Sequence, residues 1–162
     1  MTDHPGPWAR PEPIDPDVDL AFADQRRELH GHHPVVLGAI AAGGVIGALL
    51  RYQVGLWWPS AAGHFPVATL TINLVGCLVI GVFMVVIHEV VTPHQLLRPF
   101  FGTGLLGGFT TFSTYSLDIT NLLREGRGGT ALAYLAITAA GAVLAVSGGM
   151  FLTRRIASGV RA

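Results

Sequence analysis

Five hydroxyl side chains fall within seven residues, at Thr110, Thr111, Ser113, Thr114 and Ser116. Phe109, Phe112 and Tyr115 are interleaved with them, and Gly107 and Gly108 stand directly before. All lie in an uncharged stretch, 99–117. One helix can hide a hydroxyl on its own carbonyl four residues back, but this many in so short a space exceeds that device. Glycine costs about 1 kcal/mol in a helix interior, so the pair is where such a helix would unwind. An unwound turn frees carbonyls and amides, which lipid tolerates only when they are buried in protein or line a cavity. Carbonyl oxygens favour a hard cation such as sodium. Phe112 and Tyr115, three apart, share one helix face.

A second polar group lies deep in an apolar run, Asn73 in "ATLTINLVGCLVIG", 68–81. Asn73 either glues helices together or lines a pathway with the hydroxyl row. Amide N–H, hydroxyl O–H and the positive edges of aromatic rings suit a small anion that accepts hydrogen bonds strongly. Glu89, Asp118 and Glu125 all lie near the ends of uncharged runs. No buried carboxylate is therefore on hand for proton coupling, nor a carboxylate ring for a cation channel. No phosphate-binding Gly-x-x-x-x-Gly-Lys-Ser/Thr sequence occurs. Cys77 is the one cysteine, so no intrachain disulfide forms. It reads as a packing residue.

The elements that position these groups follow from composition. Of 162 residues, 51% are hydrophobic and 12% charged. Soluble domains carry about a quarter charged residues, so the deficit points to a membrane protein, and uncharged runs that must satisfy their own backbone in lipid make the expected class all-α. All ten basic residues are arginine and the net charge is zero, which gives no footing for nucleic acid. Residues 1–34 hold six of ten prolines and seven of ten acids, and read as a disordered acidic tail. Within it, 18–29 could form a short helix, and the histidines of 30–33 read as solvated rather than as metal ligands. Four uncharged runs follow, 34–50, 65–87, 99–117 and 128–153. Each is read as a span, since about 20 helical residues cross the hydrocarbon core. The first needs Arg51 and the residues to Trp58 to complete it, and the third is marginal. Residues 154–162 read as a short basic tail.

Small residues recur four apart, at Gly43 and Gly47, Gly104 and Gly108, and Gly141, Ala145 and Gly149. That spacing brings helix backbones close. Four spans place both termini on one side. More arginines fall on that side, including Arg26, Arg27, Arg98, Arg154 and Arg155, which favours cytoplasmic termini.

The stretches "GGVIGALLRY" (43–52), "ATLTINLVGCLVIG" (68–81) and "GTGLLGGFTTFSTYSLD" (102–118) resemble the fluoride channel family called Fluc or CrcB. The resemblance covers about 35–153 and leaves out the proline-rich tail. It implies an antiparallel, dual-topology dimer of four-helix subunits with a broken third helix and two pores at the interface. It implies a structural sodium ion on the dimer axis, held by backbone carbonyls of Gly107 and Thr110. Asn73 and Phe112 would face the pore. Tyr115 stands where the family carries a second pore phenylalanine, keeping a ring edge and adding a hydroxyl. Ser113 and Thr114 match hydroxyls near the pore and the helix break. A hydroxyl track on the fourth span matches at Tyr134 and Thr138 and then shortens, with Ala142 and Val146 at the next four-residue steps. Asp118 replaces a typical glutamate. Arg51 either draws anions toward a vestibule or snorkels to the interface.

The resemblance implies a passive, fluoride-selective channel in a bacterial cell membrane, conferring fluoride resistance, and no enzyme activity. Fluoride enters as HF and is trapped as the anion, and a potential of 100 mV supplies about 2.3 kcal/mol per charge for its exit. Two alternatives stay open: a proton-coupled fluoride exporter, and a subunit that conducts only beside a paralogous partner of opposite orientation.

Overall fold

The computed structural model describes residues 33–59, 64–90 and 94–160. The sequence expectations for most of the acidic tail, its short helix and its histidines at 30 and 32, together with 161 and 162, lie outside the described residues. All regular structure among the described residues is helical. Helix α1 is His33–Trp57 and passes through Arg51 as the first run required. Helix α2, Val67–Val85, continues into a wider π-type turn, Val86–Val90. Helix α3 is wound wide over Arg98–Leu106 and closes with one α-helical turn, Gly107–Phe109. Helix α4 is Phe112–Arg124 and α5 is Gly128–Val160. The stretch set off as a basic tail is therefore helical as far as Val160.

Among the described residues, three helices are long and apolar enough to cross a membrane: Pro34–Trp57, Val67–Val90 and Gly128–Gly159. The described residues thus form an all-helical structure consistent with a membrane protein. The third uncharged run gives no helix of that length, because Thr110 and Thr111 divide it. Thr110 has φ −76° and ψ 158°, and Thr111 has φ −149° and ψ 119°. Both are β-branched, which favours extended backbone.

The sequence expectation placed the unwinding at Gly107 and Gly108, and here the structure differs. Gly107 is helical, with φ −64° and ψ −36°, and the extended residues come just after the pair. Gly108 serves close approach instead: a Cβ there would run into the Gly44 carbonyl oxygen. On Gly43 it would meet the Phe100 carbonyl oxygen, on Gly47 that of Leu105, and on Gly104 that of Ile40 at 2.6 Å. The two small-residue pairs read from the sequence thus face each other across the α1·α3 seam, backbone on backbone.

A second seam joins α2 and α5. Gly141 accommodates the Leu74 side chain, Gly81 lies against the Val146 carbonyl, and Gly149 against that of Leu78. Contacts at rising numbers on both helices mean that they run in the same direction. Their far ends are tied where Arg154 donates from Nε and Nη2 to Glu89 Oε1 at 2.9 and 2.8 Å. Helices α4 and α5 are joined by a tight turn in which Gly126 takes φ 75°, a left-handed value that suits glycine. Leu122, Ala131 and Tyr134 form the buried core between them, flanked by Phe65, Leu70, Tyr115 and Ile119.

Candidate functional site

Two extended residues in an apolar environment carry backbone groups that need partners. The Asn73 side chain of α2 supplies them for Thr111. Its Oδ1 accepts from Thr111 N at 2.9 Å, and its Nδ2 donates to the Thr111 carbonyl at 3.0 Å. The amide mimics a neighbouring strand, and both atoms are used at once. Thr111 in turn starts α4. Its Oγ1 accepts from Thr114 N at 3.2 Å and donates to Thr114 Oγ1 at 3.0 Å, and Ser113 Oγ lies 3.3 Å away. This is an N-cap, in which a side-chain oxygen satisfies an orphan amide of the first turn. Thr110 closes the preceding helix: its N and its Oγ1 both donate to the Leu106 carbonyl, at 3.0 and 2.9 Å.

These bonds redirect two donors. In an unbroken helix Thr111 N–H would serve the Gly107 carbonyl and Thr114 N–H the Thr110 carbonyl, each four residues back. Here Thr111 N–H is given to Asn73 and Thr114 N–H to the Thr111 hydroxyl. The carbonyls of Gly107 and Thr110 therefore do not receive these two helical donors. Hard oxygen donors of this kind fit a cation such as sodium.

Beside the break is a cavity of about 510 Å³. Asn73, Gly107, Thr110, Phe112, Tyr115 and Thr138 all line it, so six of the residues singled out in the sequence meet there. Thr111 and Cys77 are on its wall as well. Most of the remaining wall is apolar, from residues such as Ile80, Leu106 and Ala142. Phe112 and Tyr115 sit with ring centroids 5.7 Å apart and planes tilted by 47°. Phe112 is 79% exposed. Thr138 is buried, and its Oγ1 has no hydrogen-bond partner among the described residues.

Four candidate residues lie off the cavity wall. Ser113 and Thr114 turn their hydroxyls to Thr111, as the cap requires. Tyr134 is fully buried behind Tyr115, with ring centroids 5.2 Å apart, and packs edge-on to Phe65 at 5.4 Å. Its hydroxyl is 3.5 Å from Asp118 Oδ2, at the limit of a donated bond. Tyr134 thus backs the ring that lines the cavity. Arg51 is half-buried in the last turns of α1, away from the cavity.

Two contributors were not singled out in the sequence. Thr111 was one of five hydroxyls there, and is the centre of the network here. Its signal was position, a threonine ahead of an amphipathic run, which is how N-caps read. Gly76 is the other: a Cβ on it would overlap the Thr110 methyl, so α2 is notched where the break passes.

Residues 38–150 match the family model described as CrcB-like protein, Camphor Resistance (CrcB). Among curated proteins, the chain is 55% identical over 136 residues to "Fluoride-specific ion channel FluC 1" of Streptomyces coelicolor, covering 84% of this chain and 88% of the relative. It is 57% identical over 118 residues to "Fluoride-specific ion channel FluC 2" of Streptomyces avermitilis, covering 73% and 74%. A third relative, "Fluoride-specific ion channel FluC 3" of the same organism, is 39% identical over 127 residues, covering 75% and 62%.

Proposed function

The chain belongs to the CrcB-like family, and from that premise we propose that it is a fluoride-specific ion channel. The observation that carries this reading is the convergence of Asn73, Phe112, Tyr115 and Thr138 on one mostly apolar cavity beside a helix break. A dehydrated anion crossing such a wall needs donors that replace its water, and the wall offers few positions at which to find them. The second amide hydrogen of Asn73, the Thr138 hydroxyl and the ring edges of Phe112 and Tyr115 suit a small, strongly accepting anion.

The third membrane span is formed by α3 and α4 together, with the break at Thr110 and Thr111 at depth. Two subunits of opposite orientation pair so that Phe112 is covered by the partner, which suits a residue left 79% exposed in the single chain. The pair has its pores at the interface, in the membrane of a bacterial cell. Sodium fits the carbonyls of Gly107 and Thr110, whose usual helical donors are redirected. When bound it supplies a fixed positive charge that holds the broken turns together. Asn73 and the Thr111 cap hold those turns in place from the protein side. Arg51 adds positive charge at a vestibule. Driven by the membrane potential, the channel lets cytoplasmic fluoride leave and so confers resistance.

The test is the purified chain alone in liposomes, followed with a fluoride electrode. Fluoride release well above that of protein-free vesicles, with chloride retained, is expected. No release from the chain alone, but release when a paralogue is co-reconstituted, would replace the homodimer by a mixed pair.

A further inference from the structure

The cavity wall carries few polar groups, and several of these are already committed. The Thr110 hydroxyl donates to Leu106 and the Thr111 hydroxyl to Thr114. Thr138 stands apart. Thr120 and Thr153 bond back to their own helices, to the Ser116 and Gly149 carbonyls. Thr138 is 8% exposed and its Oγ1 has no partner among the described residues, although it lines the cavity. A buried hydroxyl without a partner in a cavity calls for a ligand that accepts its hydrogen.

Beyond Thr138, α5 offers only methyl groups to the same cavity, at Ala139 and Ala142. The α2·α5 seam fixes what lies level with them. Leu74 meets Gly141, and Leu78 meets Gly149. Cys77 lies between Leu74 and Gly81, which meets Val146, so it falls level with the α5 stretch that holds Ala142, where no donor is offered. It follows Asn73 by one helical turn, about 6 Å along the axis, and both line the cavity. Its thiol is free and half-buried. A thiol hydrogen is a weak donor, but here it occupies a depth at which α5 has none. Asn73, Cys77 and Thr138 thus form a ladder along one wall.

We propose that Cys77 is a donor in the anion route, taking the step that α5 leaves empty, and that it is a binding site for thiol-seeking mercury compounds that close the route. This rests on the channel reading above. Mercuric chloride provides the probe: the thiol loses its proton, a sulfur–mercury bond forms, one mercury–chlorine bond breaks, and hydrogen chloride is released. Cys77 is the one cysteine in the chain, so a thiol-specific effect has a single address.

The experiment measures fluoride efflux from liposomes holding the full chain or its Cys77→Ala and Cys77→Ser variants, with and without mercuric chloride. In the unmodified protein the reagent should cut efflux by at least about tenfold by filling a narrow path, reversibly on adding a dithiol. Cys77→Ala should lower efflux about fivefold, as loss of one weak thiol donor predicts. Cys77→Ser should recover it to within about twofold, since a hydroxyl replaces the thiol as donor, and should be indifferent to mercury. Efflux unchanged by mercury in the unmodified protein would overturn the proposal, whether or not mass spectrometry finds the adduct, as would full efflux from Cys77→Ala. Should Cys77→Ala fail to assemble, mercury acting on the unmodified protein decides alone. If the unmodified protein releases no fluoride at all, it is the channel reading that fails.

Discussion

Asn73 holds the break through two bonds to one residue, and its replacement separates holding from conduction. Asn73→Leu keeps the volume and removes both partners of Thr111, whose N–H and carbonyl sit 2.9 and 3.0 Å from the amide. An unsatisfied buried group costs about 1–3 kcal/mol, so the pair costs about 2–6 kcal/mol. Asn73→Asp keeps the acceptor for Thr111 N–H and turns a second oxygen toward the Thr111 carbonyl, so about half that loss is expected. It also fixes a negative charge on the wall. At about 6 Å from a passing anion and an effective dielectric of about 20, that charge raises the barrier by about 3 kcal/mol, more than a hundredfold in rate. Unfolding in detergent should rank the variants Asn73, Asp, Leu in falling stability. Liposome fluoride efflux should be lost in both. Asn73→Asp conducting at the unmodified rate would refute the placement of this amide on the anion route. Asn73→Leu unfolding like the unmodified protein would refute its role in holding the break.

Other outcomes follow from the same geometry. Gly148 and Gly149 are adjacent and equivalent in sequence, but a Cβ on Gly148 meets nothing within 4 Å while one on Gly149 meets the Leu78 carbonyl at 2.5 Å. Gly148→Ala should leave stability unchanged or raise it by up to about 1 kcal/mol through helix propensity. Gly149→Ala should lower it by about 1–3 kcal/mol by overpacking a backbone seam, and detergent unfolding compares them directly. Thr111→Val removes the oxygen that caps α4 and should cost about 0.5–2 kcal/mol, with Thr111→Ser restoring most of it, read by the same unfolding assay. Replacing all sodium by a bulky organic cation should lower the unfolding midpoint and the fluoride efflux together, and adding sodium back should restore both.

Local pattern made much of this molecule legible. The long apolar runs gave α1, α2 and α5, because a span has to satisfy its own backbone and shows this as length without charge. The four-residue glycine spacing gave the seams, and Gly43, Gly47, Gly104 and Gly108 do meet. Asn73, Phe112 and Tyr115 stood out as polar or aromatic groups at depth, the family resemblance added Thr138, and the cavity unites them. What the residues did not disclose was long-range. The break falls at Thr110 and Thr111 rather than at the glycine pair because Asn73, 38 residues earlier, supplies Thr111 with partners. The glycine pair was ambiguous, since glycine serves both unwinding and close approach, and only the position of Gly44 decides for Gly108. The family resemblance set Tyr134 beside Thr138 on a hydroxyl track. The turn at Gly126 and the packing of α4 on α5 put it behind Tyr115 instead.

The most direct test of passive fluoride conduction is efflux under controlled voltage. Liposomes holding the purified chain and potassium fluoride are diluted into potassium-free medium, with and without valinomycin, at matched pH inside and out. The account predicts little release until valinomycin lets potassium carry the compensating charge, then rapid release whose rate follows the imposed potential and ignores a pH gradient. Release that proceeds equally without valinomycin, or that a pH gradient alone drives uphill, would contradict it.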